Sequence, residues 1–235
     1  MNGVPGDRGP IYLETVMGRF PVEPWNTFSN LLFLALIIYW AWRLAREGAG
    51  PHRFIAGALP VLFVGWIGGT VYHATRSANI WLFLDFGPIA LLVAAAAIFF
   101  WRRVGVPWWL VPVLVFGPFA LVMGTISALD LPDASRPYLG YPTLALSLLL
   151  PVLWNLRQEA MADAGLVVGA LAVFALAVTC RTLDGRALVE TLPMGTHWLW
   201  HSFGAGAVQL LILYIWRSDL RRTERTGPVL QPAAA

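Results

Sequence analysis

Seven long, mostly apolar runs succeed one another along the chain, at 27–45, 54–73, 80–101, 107–127, 141–156, 164–180 and 195–216. Each approaches the roughly 20 residues that a helix needs to cross the hydrocarbon core of a bilayer. They are continuous runs, not the short strands or one-sided stripes of a water-soluble core. Short polar connections such as PHRF, RRVGVPWW and RQEAMADAG punctuate them, and the fifth run is short and carries Pro151. The pattern predicts an all-α bundle of seven transmembrane helices over 27–217. An extramembrane segment, 1–26, precedes it, and a flexible cytoplasmic tail, 218–235, follows. The first 25 residues lack the apolar stretch of a secretory signal, so the first helix is expected to direct insertion itself.

Composition agrees. The chain is 58% hydrophobic and 12% charged, against roughly 25% charged in soluble domains. Its 16 basic residues are all arginine, and none clusters with exposed aromatics, so nucleic acid is not an expected partner. One cysteine, Cys180, excludes an intramolecular disulfide and a cysteine-rich metal site. The tryptophans of WAWR, PWWL, HWLW and YIW read as anchors at the membrane interface, in preference to an aromatic substrate cradle.

The arginines set the orientation. With the N-terminus outside, the inner segments hold ten (43, 46, 53, 102, 103, 157, 217, 221, 222 and 225) and the outer ones six (8, 19, 76, 136, 181 and 186). The excess favours N-out and C-in. On that map His73 ends the outward-running second helix, Asp85 opens the inward-running third, and His197 and His201 open the inward-running seventh. All four fall at one depth, in the outer half of the bilayer. His52, in GPHRF, falls on the inner side and reads as a surface residue.

His197 and His201 are four residues apart and share a helix face. With His73 they make three imidazoles, the ligand set of a catalytic zinc that keeps its fourth position for water. Asp85 has no basic neighbour in sequence. A nearby cation would offset the cost of its charge in the membrane, and its carboxylate could take a proton from that water or orient a ligand. Proton relay or helix–helix hydrogen bonding remains open as an alternative use of the histidines. Haem fits less well, because it draws one histidine from each of two helices.

The stretches EPWNTFSNLLF (23–33), GGTVYHATRSANIWLFLDFGPI (68–89) and GTHWLWHSF (195–203) resemble the alkaline ceramidase family. That family belongs to a superfamily of seven-helix membrane hydrolases that also includes the adiponectin-receptor-like proteins. The resemblance spans nearly the whole chain in order. It implies zinc held by His73, His197 and His201, with Asp85 beside the metal-bound water. It also implies hydrolysis of a lipid amide, ceramide in the namesake enzymes, to a free amine lipid and a fatty acid. The expected partners are a membrane lipid substrate and the bilayer itself, with no obligate protein partner. An arginine-only, alanine-rich chain points to a high-GC bacterium and to an inner membrane with the site on the periplasmic side. Sphingolipids are often scarce there, so another N-acyl lipid is an alternative to ceramide. A receptor-like relative with a structural metal is the alternative to an enzyme.

Two positions depart from the family. A serine normally stands four residues before the first metal-binding histidine, and here it is Gly69. Thr70 could supply that hydroxyl, or could bond its own helix backbone. Calcium-binding members also carry an N-terminal pattern like D-W-C-E-x-N, where this chain has IYLETV (11–16). Glu14 and Glu23 remain, with Asp7 further upstream. Calcium takes six to eight oxygens, so a Ca²⁺ site on these residues is doubtful. Glu23 and Asn26 could instead cap the first helix.

Overall fold

The structure is a computed structural model that describes residues 6–130, 135–185 and 191–226, apart from the side chains at 135–138, 141, 142, 144 and 226. Among the described residues the chain forms eight helices and no strand: α1 (Pro24–Ser29), α2 (Leu31–Glu47), α3 (Arg53–Thr75), α4 (Asn79–Arg103), α5 (Val111–Ala128), α6 (Ser135–Gln158), α7 (Ala164–Leu183) and α8 (His197–Thr226). Six spans among the described residues are long and apolar enough to cross a membrane: Pro24–Glu47, Arg53–Thr75, Asn79–Arg103, Val111–Ala128, Ala164–Leu183 and His197–Arg225. The run expected at 141–156 lies inside α6, which packs against α4 and α5. Large apolar side chains such as Phe83, Phe86, Leu91, Phe116 and Leu121 face outward. Patches of this size would be a liability in water, whereas lipid tails cover them at no cost. The architecture is that of an integral membrane helical bundle.

Both ends of the bundle differ from the sequence expectation. Pro24, with its φ preset for a first turn, starts α1 three residues early, and the chain re-forms as α2 after Asn30. The segment ahead of it packs into the bundle, with Glu14, Tyr12 and Val22 buried. At the other end α8 runs to Thr226, through residues expected to begin a flexible tail. The reason is pairing. Arg217 and Arg221 bond the Asp163 carboxylate, Arg221 and Arg222 bond Glu159, and Ser218 and Asp219 are buried. Residues 227–235 lie outside the described residues.

His52 is likewise not a surface residue. It is 1% exposed, stacks on Trp216 at 3.5 Å between ring centroids, and meets Asp219 Oδ2 at 3.2 Å. Trp40 of WAWR and Trp216 of YIW, expected as anchors at the membrane interface, are instead core residues, while Trp42, Trp108 and Trp109 are exposed.

Helices α3 and α4 approach closely. A Cβ at Gly68 would overlap the backbone of Leu84, and one at Gly65 would meet Pro88 at 3.2 Å. This backbone contact brings the α4 residue next to Leu84, Asp85, against the end of α3. The turn between them closes through Arg76, whose φ of 48° ends α3 in a left-handed cap, with its amide donating to the Tyr72 carbonyl.

Candidate metal centre

His73 lies in the last turn of α3, and His197 and His201 face it from the first two turns of α8. The ring centroids of His73–His197, His73–His201 and His197–His201 are 5.4, 4.9 and 4.8 Å apart. One nitrogen from each ring lies within 4.8 Å of the other two, and all three residues are buried. Among the described residues this is the one group of three or more histidine, cysteine or acidic side chains that could hold a metal ion.

The surroundings orient two of the rings. Nδ1 of His73 lies 2.5 Å from Glu23 Oε2. Nδ1 of His201 lies 2.8 Å from Ser29 Oγ and 3.1 Å from the Asn26 carbonyl. With Nδ1–H donating outward on both rings, Nε2 carries the lone pair, which is the tautomer a metal ligand needs. His197 is held by its position instead. Asp184 Oδ1 accepts the amides of Thr196 and His197, capping the first turn of α8. Gly195, at φ +72°, has no room for a Cβ beside that carboxylate. Tyr12 then stacks on the His197 ring at 3.8 Å.

Nε2 of His73 and both nitrogens of His197 are buried without a hydrogen-bond partner. Orphaned polar atoms of this kind are rare in a native interior, because each costs free energy. A cation accepting one lone pair from each ring satisfies His73 Nε2 and one of the two His197 nitrogens, and three neutral imidazoles suit zinc among other divalent metals. The residues therefore fit a metal ion.

Asp85 Oδ2 lies 3.9 Å from His73 Nε2, at the edge of the cluster and outside the three-nitrogen set. Its other oxygen lies 2.5 Å from the point a Gly69 Cβ would occupy, and Asn30 Oδ1 lies 3.1 Å from the same point. The residue directly across from Asp85 is thus Gly69. Thr70 Oγ1 is buried without any partner. It bonds neither its own backbone nor Asp85.

Glu14 and Glu23 have protein partners at every oxygen. Glu14 accepts the amides of Trp25 and Asn26, at 2.8 and 2.6 Å, and so caps α1. Glu23, which was expected as that cap, makes no capping bond. It binds His73, Thr15 and Arg76 instead. Burial pushes its carboxyl up, but the bonds from His73, Thr15 and Arg76 outweigh this and leave it below the ordinary value. Two more roles lay outside the sequence reading: Tyr12 against His197, and Ser29 against His201. Asp184, just past the end of α7, is the cap of α8. No family model matches the chain, and no curated protein matches it in sequence.

Proposed function

We propose that the protein is a seven-helix, zinc-dependent intramembrane hydrolase of the ceramidase type, cleaving an N-acyl lipid to an amine lipid and a fatty acid. The observation that carries this reading is the buried three-imidazole cluster, with unpartnered nitrogens on His73 and His197 and with Asp85 beside it. Zinc held there by His73, His197 and His201 would supply a Lewis acid for the amide carbonyl and lower the pKa of water toward neutrality. Asp85 stands outside the ligand set, which leaves its carboxylate free for proton transfer. It takes the proton of the attacking water and gives it to the amine nitrogen as the C–N bond breaks. Glu23, Ser29 and the Asn26 carbonyl hold the rings in their ligating orientation. The excess of arginines in the inner segments supports an N-out, C-in topology with the site on the outer, periplasmic side of a bacterial inner membrane. An N-acyl lipid reaches such a site from within the bilayer.

Metal content by mass spectrometry on detergent-purified protein, beside His197→Ala, is the direct test. About one zinc per chain, lost in the variant, is expected. A screen of N-acyl lipids then follows, in which Asp85→Asn keeps the zinc and loses turnover. Carefully prepared wild type without zinc overturns the hydrolase reading. A second reading, a receptor-like relative whose metal is structural, draws on Gly69 standing where the family has serine. It requires a zinc-loaded protein that hydrolyses none of the lipids.

A further inference from the structure

Among the described residues, Arg76 is the largest charged side chain that is fully buried, at 0% exposure. Its guanidinium has five N–H donors, and five contacts to oxygen surround it. Nε and Nη2 reach the two oxygens of Asp7, each at 2.8 Å. Nη1 reaches Glu23 Oε1 at 2.7 Å and the Pro10 carbonyl at 2.9 Å, and Nη2 reaches the Gly9 carbonyl at 3.3 Å. The Tyr72 ring lies 4.8 Å from the guanidinium carbon. Two carboxylates and two carbonyls converging on one point are the donor set of a hard cation such as calcium. The point is filled by a cation that belongs to the chain.

The position of this cage gives it a task. Asp7, Gly9 and Pro10 come from the N-terminal segment, and Arg76 ends α3 three residues beyond His73. Glu23 faces both ways, with Oε1 on Arg76 and Oε2 on His73 Nδ1. The Gly6 amide adds a bond to the Arg76 carbonyl. The same cage therefore fastens the segment that carries Tyr12 across the histidines and fixes the carboxylate that orients one of them.

We infer that Arg76 is a built-in cation that takes the place of a bound divalent ion, holding the N-terminal segment and, through Glu23, the His73 ring without any need for calcium. A free divalent ion enters this cage only if the guanidinium leaves it, which would bury that charge unpaired. Arg76 acts as a positioning residue and touches neither the three-histidine set nor any reacting atom. The inference concerns the oxygen cage and does not depend on what the histidines hold.

The test follows the thermal midpoint of the full chain in detergent, in buffer stripped of divalent ions, with and without millimolar Ca²⁺. The wild-type midpoint is expected to be the same in both. Arg76→Ala opens the cage and leaves Asp7 and Glu23 without their cation, so it should melt lower and recover part of the loss with Ca²⁺. Arg76→Gln, also uncharged but closer in shape, serves the same comparison should the alanine variant not fold. Adding Asp7→Asn to either variant should abolish the calcium response. Wild type stabilised by Ca²⁺ as strongly as the variants overturns the inference, as does a variant no more responsive than wild type. Metal per chain, measured on the same samples, should fall in Arg76→Gln and return with Ca²⁺. Metal-free wild type would count against the hydrolase reading and leave the calcium comparison standing.

Discussion

The Glu23 carboxylate and the His73 imidazole meet at 2.5 Å with neither side chain exposed, fifty residues apart in sequence. A carboxylate behind a ligating histidine fixes its tautomer and raises its basicity. Glu23→Gln keeps the shape and removes the charge. Metal affinity of the three-histidine set is expected to fall about 10–100-fold, read by competition against a chelator. Unchanged affinity would show that Glu23 serves Arg76 alone.

Gly69 has no room for a side chain, because any Cβ there comes within 2.5 Å of Asp85 Oδ1 and 3.1 Å of Asn30 Oδ1. Contacts under 3 Å force one side to move. Gly69→Ser and Gly69→Ala should both lose about 1–3 kcal/mol of stability from overpacking. Both should also lower turnover of any N-acyl lipid substrate by displacing Asp85. A serine variant more active than wild type would mean that Asp85 yields without harm.

What the sequence disclosed, and what it hid, follows the range of the interactions. Spacing of four residues put His197 and His201 on one face, and helix direction put His73 and Asp85 at their depth, because both rules are local to a helix. The roles of Glu23, Tyr12 and Arg76 arise between segments far apart in the chain, where periodicity carries no signal. Arg76 counted only as one of six outer arginines, yet it is fully buried. His52 stood in a polar connection and read as surface, although α8 extends far enough past Trp216 to bury it. The same extension was hidden because RSDLRRTER looks like a solvated tail until Glu159 and Asp163 supply its partners.

Asp184 serves the amides of Thr196 and His197, with Oδ2 left for the Leu13 amide at 3.2 Å. Loss of such a cap costs about 0.5–2 kcal/mol. Asp184→Ala should lower the thermal midpoint accordingly and loosen His197, so metal should dissociate faster than from wild type. Equal metal off-rates would confine Asp184 to capping.

The Glu159–Asp163 turn makes stability depend on acid. Burial pushes the Glu159 carboxyl up, but Ser218, Arg221 and Arg222 outweigh this and hold it below the ordinary value. Asp163 is also depressed, with Arg217 and Arg221 outweighing its burial. A depressed carboxyl stabilises the fold fully above its unfolded pKa, about 4 for these groups. That contribution is lost as pH falls through the lower folded value. The thermal midpoint should therefore hold from neutrality to about pH 5 and drop below pH 4. In Glu159→Gln the drop should be smaller, from a lower starting midpoint. An equal acid drop in that variant would place the sensitive group elsewhere.

The bundle keeps two buried polar clusters at its opposite ends, and His52 tests whether they are independent. His52 precedes the first residue of α3 and His73 lies in its last turn. At 1.5 Å of rise per residue the two are about 30 Å apart. His52 bonds Asp219, which also takes Arg103 at 2.6 Å, and its ring fills the space over Trp216. His52→Ala removes a packed ring and one partner of a buried carboxylate, for an expected loss of about 2–5 kcal/mol. Metal per chain should not change, because no residue of this cluster touches the three histidines or their supports. The comparison with His197→Ala is then a double dissociation: one variant loses metal, the other loses stability with metal retained. If His52→Ala lost both in proportion, the histidine cluster would depend on global packing more than on its own supports, and Glu23, Ser29 and Asp184 would matter less than their geometry indicates.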